Sequence, residues 1–194
     1  MPELTARDRI LTAAARRFAA DGIIATGIDA VIAEAGVAKM SLYNNFSSKA
    51  ALVGSYIEAR HHELLDFYAR RVATASTPAE SCLALFDAYL DHAESAPEAT
   101  FRGCGLLNAA SEFPAGDPAR AVVREHKEEI EAILLGHLAE VVGEEQASGL
   151  AEHLVYVLEG AMSRAGLDGA TERISRGRTI AAAILRAELP AESR

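Results

Sequence analysis

Tryptophan is absent from this chain, cysteine occurs only twice, and no apolar run approaches 18 residues. The last absence excludes a membrane-spanning helix, which needs about 20 consecutive apolar residues. Cys82 and Cys104 form no spacing motif, so reduced thiols are expected rather than a disulfide. The six histidines (His61, His62, His92, His126, His137 and His153) include no His-x-x-x-His pair, and no metal site is expected. No glycine-rich phosphate loop and no G-x-S-x-G motif is present. The chain therefore carries no enzyme signature, and neither catalytic residues nor a cofactor are expected. Arg7, Asp8, Arg9, Arg16 and Arg17 interrupt any apolar core of a signal peptide, which makes the cytoplasm the expected location. No window alternates at period two for long enough to claim a strand, and no internal repeat or low-complexity tract occurs.

What is present is a 194-residue chain, half of it hydrophobic, with a net charge of −9. That charge argues at first against a nucleic-acid partner, but it is unevenly spread. Residues 1–60 hold seven Lys/Arg and six acids, a net of +1, and the remainder carries −10. An acidic body repels DNA everywhere except at a nearly neutral head.

Helical periodicity covers almost the whole length. Thr5-x-x-Asp8 opens a helix to about Asp21, with Ile10, Ala14 and Phe18 on one face and Gly22 as its stop. Ile28–Ala35 and Ala38–Phe46 follow as short helices hinged at Gly36. Ser47-Ser48 caps a long helix to about residue 74. Thr77-Pro78-Ala79-Glu80 starts another, to about Glu94, with Pro97 in the break after it. Residues 101–113 read as a short helix, Asp117-Pro118 opens one ending near Gly143, and Glu144–Ala165 and Thr171–Leu189 complete nine. The expected fold is all-α. A helix-turn-helix head is expected over 1–47, and a helical ligand-binding and dimerisation body over 48–194.

The helix pair about Gly36 fits a DNA reader. Glycine tolerates the positive φ of a tight turn. Val37, Leu42 and Phe46 anchor the second helix, which leaves Lys39, Met40, Ser41, Tyr43, Asn44 and Asn45 outward or along the rim. Hydroxyls, amides and an ammonium bond phosphates and base edges. Lys49 sits in the first turn of the next helix, where phosphate contact is its natural use. Polar-faced helical hairpins also occur in proteins that never meet DNA.

The run Ser41-Leu42-Tyr43-Asn44-Asn45-Phe46-Ser47-Ser48-Lys49-Ala50-Ala51-Leu52 resembles a known signature, Leu-Tyr-x-His-Phe-x-x-Lys-x-x-Leu. With Ile10, Ala14, Phe18, Gly22, Thr26, Ile28, Ala33 and Ala35-Gly36-Val37, it makes residues 10–53 similar to the DNA-binding domain of the tetracycline-repressor (TetR) family of bacterial regulators. Asn45 stands where that family usually has histidine, and Gly27 where it usually has Ser or Thr. The resemblance implies Thr26, Lys39, Ser41, Tyr43, Asn44 and Lys49 as DNA contacts. It further implies a homodimer on a twofold operator in double-stranded DNA, a small-molecule effector in the body, and a regulator that acts as a repressor.

For the body, the same resemblance implies a pocket and an interface made by the last two helices. Leu150, Leu154, Leu158 and Ala161 form one apolar stripe, and Ile174, Ala181, Ile184 and Leu185 another, with Gly177 on the same face. These stripes suit a four-helix dimer interface or ordinary packing within one chain. Cys104, Asn108 and Glu112 share a helix face, suited to a ligand pocket or to a satisfied buried network. Candidate ligand-binding residues are Phe67, Phe86, Tyr89, Cys104, Leu107, Asn108 and Tyr156, the aromatics among them serving a cavity or simple core.

Overall fold

Thr5 and Asp8 start the first helix as their spacing predicts. The Thr5 hydroxyl accepts the Asp8 N–H at 3.2 Å, and the Asp8 carboxylate accepts the Thr5 N–H at 3.2 Å. The computed structural model describes residues 4–95 and 101–193, and nine α-helices and no strand occur among them. They are α1 Ala6–Asp21, α2 Ile28–Ala35, α3 Lys39–Asn45, α4 Lys49–Val72, α5 Pro78–Glu94, α6 Gly105–Ser111, α7 Pro118–Val142, α8 Glu144–Asp168 and α9 Glu172–Glu188, followed by a 3-10 turn at Ala191–Ser193. The protein is all-α, as its periodicity predicts. No helix among the described residues is long and apolar enough to cross a membrane.

Boundaries follow local chemistry. At α5 the Thr77 hydroxyl accepts the Glu80 N–H at 3.2 Å, and the Glu80 carboxylate reaches back to the Ser76 N–H at 2.6 Å. Helix α6 is shorter than the span 101–113 suggests. Gly103 has φ 85, outside the helical region, and Pro114 follows the far end. Helix α8 runs past Ala165 to Asp168, where Gly169 in the left-handed conformation ends it. Pro97, the expected break after α5, lies outside the described residues.

The chain divides into two compact units. One takes the described residues up to His61 together with Gly105–Val123, and the other those of His62–Cys104 and from Arg124 onward. In the first, α1 packs on α2 and α3. Ile10, Val31, Leu42, Phe46, Leu52 and Tyr56 are all at most 5% exposed. Phe18 meets Tyr56 edge-on, with ring centroids 5.2 Å apart.

In the second unit α9 packs against both α5 and α8. This packing decides between the two uses open to the apolar stripes. Leu150, Leu154, Leu158, Ile174, Ala181 and Leu185 are at most 4% exposed within the single chain. Ala161 and Ile184 are half-buried. The stripes close on the chain's own core, so six of the eight residues expected at a dimer interface are unavailable to a partner. Gly177 is the point of closest approach, since a Cβ there would lie 2.7 Å from Ala161 Cβ. A second crossing is tighter still. A Cβ on Gly166 would come within 2.6 Å of the Arg102 carbonyl carbon and oxygen, and one on Gly103 within 3.0 Å of the Met162 carbonyl oxygen. Gly177→Val should destabilise the protein by about 1–3 kcal/mol through overpacking, read as a lower urea midpoint at unchanged slope. An unchanged midpoint would mean that α8 and α9 are not held at this distance.

Candidate nucleic-acid interface

Helix α3 has seven residues, too few to be stable alone, so its orientation comes from what it buries. Leu42 is 0% and Phe46 3% exposed. Arg7 covers the Phe46 ring, its guanidinium carbon 5.2 Å from the centroid, and bonds Ser55 Oγ at 3.3 Å. The turn before α3 is fixed by Gly36 at φ 61, ψ 41. Its carbonyl and that of Ala35 accept the Arg9 guanidinium at 2.7 and 2.8 Å. Arg17 adds an ion pair from α1 to Glu34 on α2. Arg9 carries no signal in the sequence, because its partners lie 26 and 27 residues away.

This frame presents one polar face. Met40 is 70% and Tyr43 47% exposed, and Lys39, Asn44 and Asn45 are exposed beside them. Ser41 is half-buried at the edge. Lys39 Nζ bonds Asp29 Oδ1 at 3.0 Å, and this contact raises its pKa through the hydrogen bond and then the charge of Asp29. The pair is exposed on both sides, so solvent screening leaves it weak and exchangeable for a phosphate. Asn45 turns its amide nitrogen back to the Ser41 carbonyl at 2.8 Å.

Two of the expected DNA contacts are engaged in the α1–α2 turn. Thr26 is 3% exposed, and its hydroxyl donates to the Gly22 carbonyl at 2.6 Å. The hydroxyl thus serves the turn and faces no solvent. Lys49 Nζ donates to the Ile24 carbonyl at 3.2 Å. The same turn has a third tie. Glu112, just beyond α6, accepts the N–H groups of Ile23 and Ile24 on its two carboxylate oxygens at 2.9 and 2.7 Å. Arg120 in the first turn of α7 bonds the carbonyls of Ala110 and Phe113 at 3.0 and 3.3 Å, which fastens the end of α6. Glu112 therefore serves the head rather than a polar stripe with Cys104 and Asn108.

The candidate ligand residues differ in their surroundings, and Phe67, Phe86, Tyr89 and Cys104 belong to or pack against one hydrophobic core. Phe86 and Tyr89 are 0% and 2% exposed in the body core. Phe67 is half-buried between the Arg70 guanidinium (4.5 Å) and the His92 ring (6.0 Å). Tyr156 is 63% exposed and bonded to Glu152 on its own helix. It lies two residues from both Leu154 and Leu158 and so on the opposite side of α8. Leu107 and Asn108 belong to the other compact unit. Tyr89 and Cys104 share a neighbour, Lys127, at 3.3 and 3.5 Å. Burial works against the Lys127 charge, but the Tyr89, Cys104 and Glu159 side chains outweigh it and raise the pKa. A separate open groove of about 690 Å³ is lined by Tyr68, Val72, Pro78, Ile133 and His137 among others. There Tyr68 Oη and His137 Nε2 are 2.5 Å apart, and burial pushes the Tyr68 pKa up to about 12.

A helix pair joined at a left-handed glycine, with an exposed polar second helix, defines a helix-turn-helix DNA-binding protein. Residues 10–56 match the family described as bacterial regulatory proteins, tetR family. The chain is 29% identical to a TetR-family transcriptional regulator from Streptomyces coelicolor, over 94% of this chain and 95% of that one, with a TM-score of 0.82. It is 25% identical to a TetR transcriptional regulator from Chloroflexus aurantiacus, over 95% and 96% of the two chains, with a TM-score of 0.75. A TetR transcriptional regulator from Legionella pneumophila shares the fold at 21% identity, over 96% and 99%, with a TM-score of 0.79. No curated protein matches the sequence. Over residues 10–56 the chain thus matches the tetR family, and along nearly its whole length it is similar in fold to TetR-family transcriptional regulators.

Glu112→Ala should cost about 1–3 kcal/mol, since it removes two bonds to a charged acceptor. It should also speed hydrogen exchange at the Ile23 and Ile24 amides, and unchanged exchange there would exclude the clasp. His137 supplies a pH test. Burial holds its pKa below the 6.5 of a free imidazole, so the unfolded chain binds the proton first as pH falls. Stability is therefore complete above 6.5 and drops as pH descends to the native value. His137→Gln keeps an acceptor for Tyr68 and should flatten that part of the urea-denaturation pH profile.

Proposed function

We propose that this regulator is a ligand-responsive repressor that binds a twofold operator as a homodimer. The observation that carries the proposal is the solvent-facing group Lys39, Met40, Tyr43 and Asn44, held outward by buried Leu42 and Phe46. Asn44 and Lys39 suit base edges. Ser41, Asn45 and Lys49 suit phosphates and the groove rim, and Thr26 supports the turn behind them. One such helix covers few base pairs. Two heads held about 34–36 Å apart would reach successive major grooves. The division of labour follows the sequence, with DNA binding by residues 1–47 and ligand binding and dimerisation by residues 48–194.

The partner-facing surface we propose is the outer side of α8 and α9. Tyr156, Leu167 and Ile180 are 63%, 81% and 53% exposed there, an unusual apolar display for a solvated helix pair. A small molecule that binds the body more tightly in one arrangement of the heads would deplete the DNA-competent population. Phe67, Tyr89, Cys104 and the groove beside Tyr68 are the body positions proposed for testing.

The deciding experiment is selection of bound duplexes from a random pool, followed by a salt titration on the selected site. Affinity should fall steeply as salt rises. Tyr43→Ala should weaken binding at unchanged thermal stability, Lys49→Ala should weaken it alike for every sequence, and Asn44→Ala should weaken it with relaxed base preference. Ile180→Arg should give a monomer with weak operator binding. A pool that yields no enriched sequence at low salt, with or without candidate effectors, would overturn the proposal.

A further inference from the structure

The outward side of α3 is not purely polar. Met40 is 70% exposed, more than any other large apolar side chain described in the first unit. Tyr43 stands three residues on and Asn44 four residues on, both exposed. Residues at those spacings are neighbours on one helix face, so the three side chains form one contiguous patch. Leu42 and Phe46 already anchor α3 from the buried side, and Met40 has no part in that anchoring. Two polar neighbours are engaged within the head. Lys39 Nζ bonds Asp29 Oδ1 at 3.0 Å, and Asn45 turns its amide nitrogen to the Ser41 carbonyl at 2.8 Å.

We propose that Met40 reads a thymine, by packing its side chain on the 5-methyl group in the major groove. The inference rests on the reading of α3 as the helix that meets base edges. A single exposed methionine is ordinary on a protein surface; its place in the middle of this face is what gives it a use. A thioether has no donor and is a weak acceptor, so it does not match a hydrogen-bond pattern on a base. The thymine methyl is the apolar feature among the base-pair patterns of the major groove, and apolar side chains discriminate by contact with it. Methionine is unbranched, with three rotatable bonds, and fits itself to an irregular apolar surface. On contact the methyl and the Met40 chain leave water together, which is favourable.

Asn44 extends the pattern. An exposed asparagine amide pairs with N6 and N7 of adenine. Four residues separate it from Met40, about 6 Å along the axis at about 1.5 Å per residue. That is close to two base-pair steps of about 3.4 Å. Each half-site should therefore contain a thymine and an adenine about two base pairs apart, one set by Met40 and the other by Asn44.

The test starts from the duplex that the full-length protein enriches from a random pool. Each thymine of one half-site is replaced in turn by deoxyuridine, which removes the methyl and keeps the base pairing. Binding is measured at one salt concentration for the wild type, Met40→Ala and Met40→Leu. At one position uracil should weaken wild-type binding about fourfold, the worth of burying about one methyl group. Met40→Ala should bind the thymine and uracil duplexes alike there, and Met40→Leu should keep part of the preference. Asn44→Ala should relax the choice of base about two steps away. Met40 lies outside the core, so thermal unfolding of Met40→Ala should match the wild type. Binding with no uracil-sensitive thymine, or a uracil penalty undiminished in Met40→Ala, would overturn the inference and leave the operator reading standing. A pool that enriches no duplex would overturn both.

Discussion

Leu42 and Phe46, four residues apart on α3, must both be buried for that helix to present anything. Seven residues make under two full turns, and the backbone bonds of so short a helix do not hold it in water. Burial of these side chains against α1 and α2 supplies the missing stabilisation and sets the rotation of α3 about its axis. Once that rotation is set, Lys39, Met40, Tyr43 and Asn44 face outward as a geometric consequence. The outward face of the head depends on this apolar anchoring, because the polar groups themselves do not orient the helix.

Backbone polar groups complete the frame. The α2–α3 turn gives two carbonyls to Arg9, and the α1–α2 turn gives one to Thr26, one to Lys49 and two N–H groups to Glu112. Turns expose main-chain groups that helices satisfy internally, and here the nearby Thr26 hydroxyl and charged side chains from distant sequence positions satisfy them. The head is consequently held through its connections as well as through its core. A carboxylate from beyond α6 belongs to that holding set, so the head is not specified by the first fifty residues alone.

Much of this was legible in the sequence. The capping pairs Thr5/Asp8 and Thr77/Glu80, the hinge at Gly36 and the buried Leu42/Phe46 pair all act over three to four residues or demand one residue type, and local patterns carry such information. The Leu150, Leu154 and Leu158 stripe was legible as apolar, but periodicity cannot say whether a face meets its own chain or another copy. Tyr156 fell outside the core for a reason that is local, namely its two-residue offset from that stripe. Arg9, Glu112, Lys127 and Glu159 were not singled out as partners of what they hold. Their partners lie between 23 and 89 residues away, and no spacing rule reaches that far. Thr26 was expected outside because a hydroxyl suits phosphate, yet a hydroxyl suits an unpaired turn carbonyl equally well.

The crossing of residues 102–103 over α8 at Gly166 carries a consequence for how this chain can change over generations. Two main chains touch there with no space for a methyl group on either side. A single codon change at either glycine must push the backbones apart before any compensating change can help, so intermediates along that path fold poorly. The contact is therefore easier to inherit intact than to rebuild. Divergence among descendants should accumulate around it, in side chains that can be exchanged one at a time.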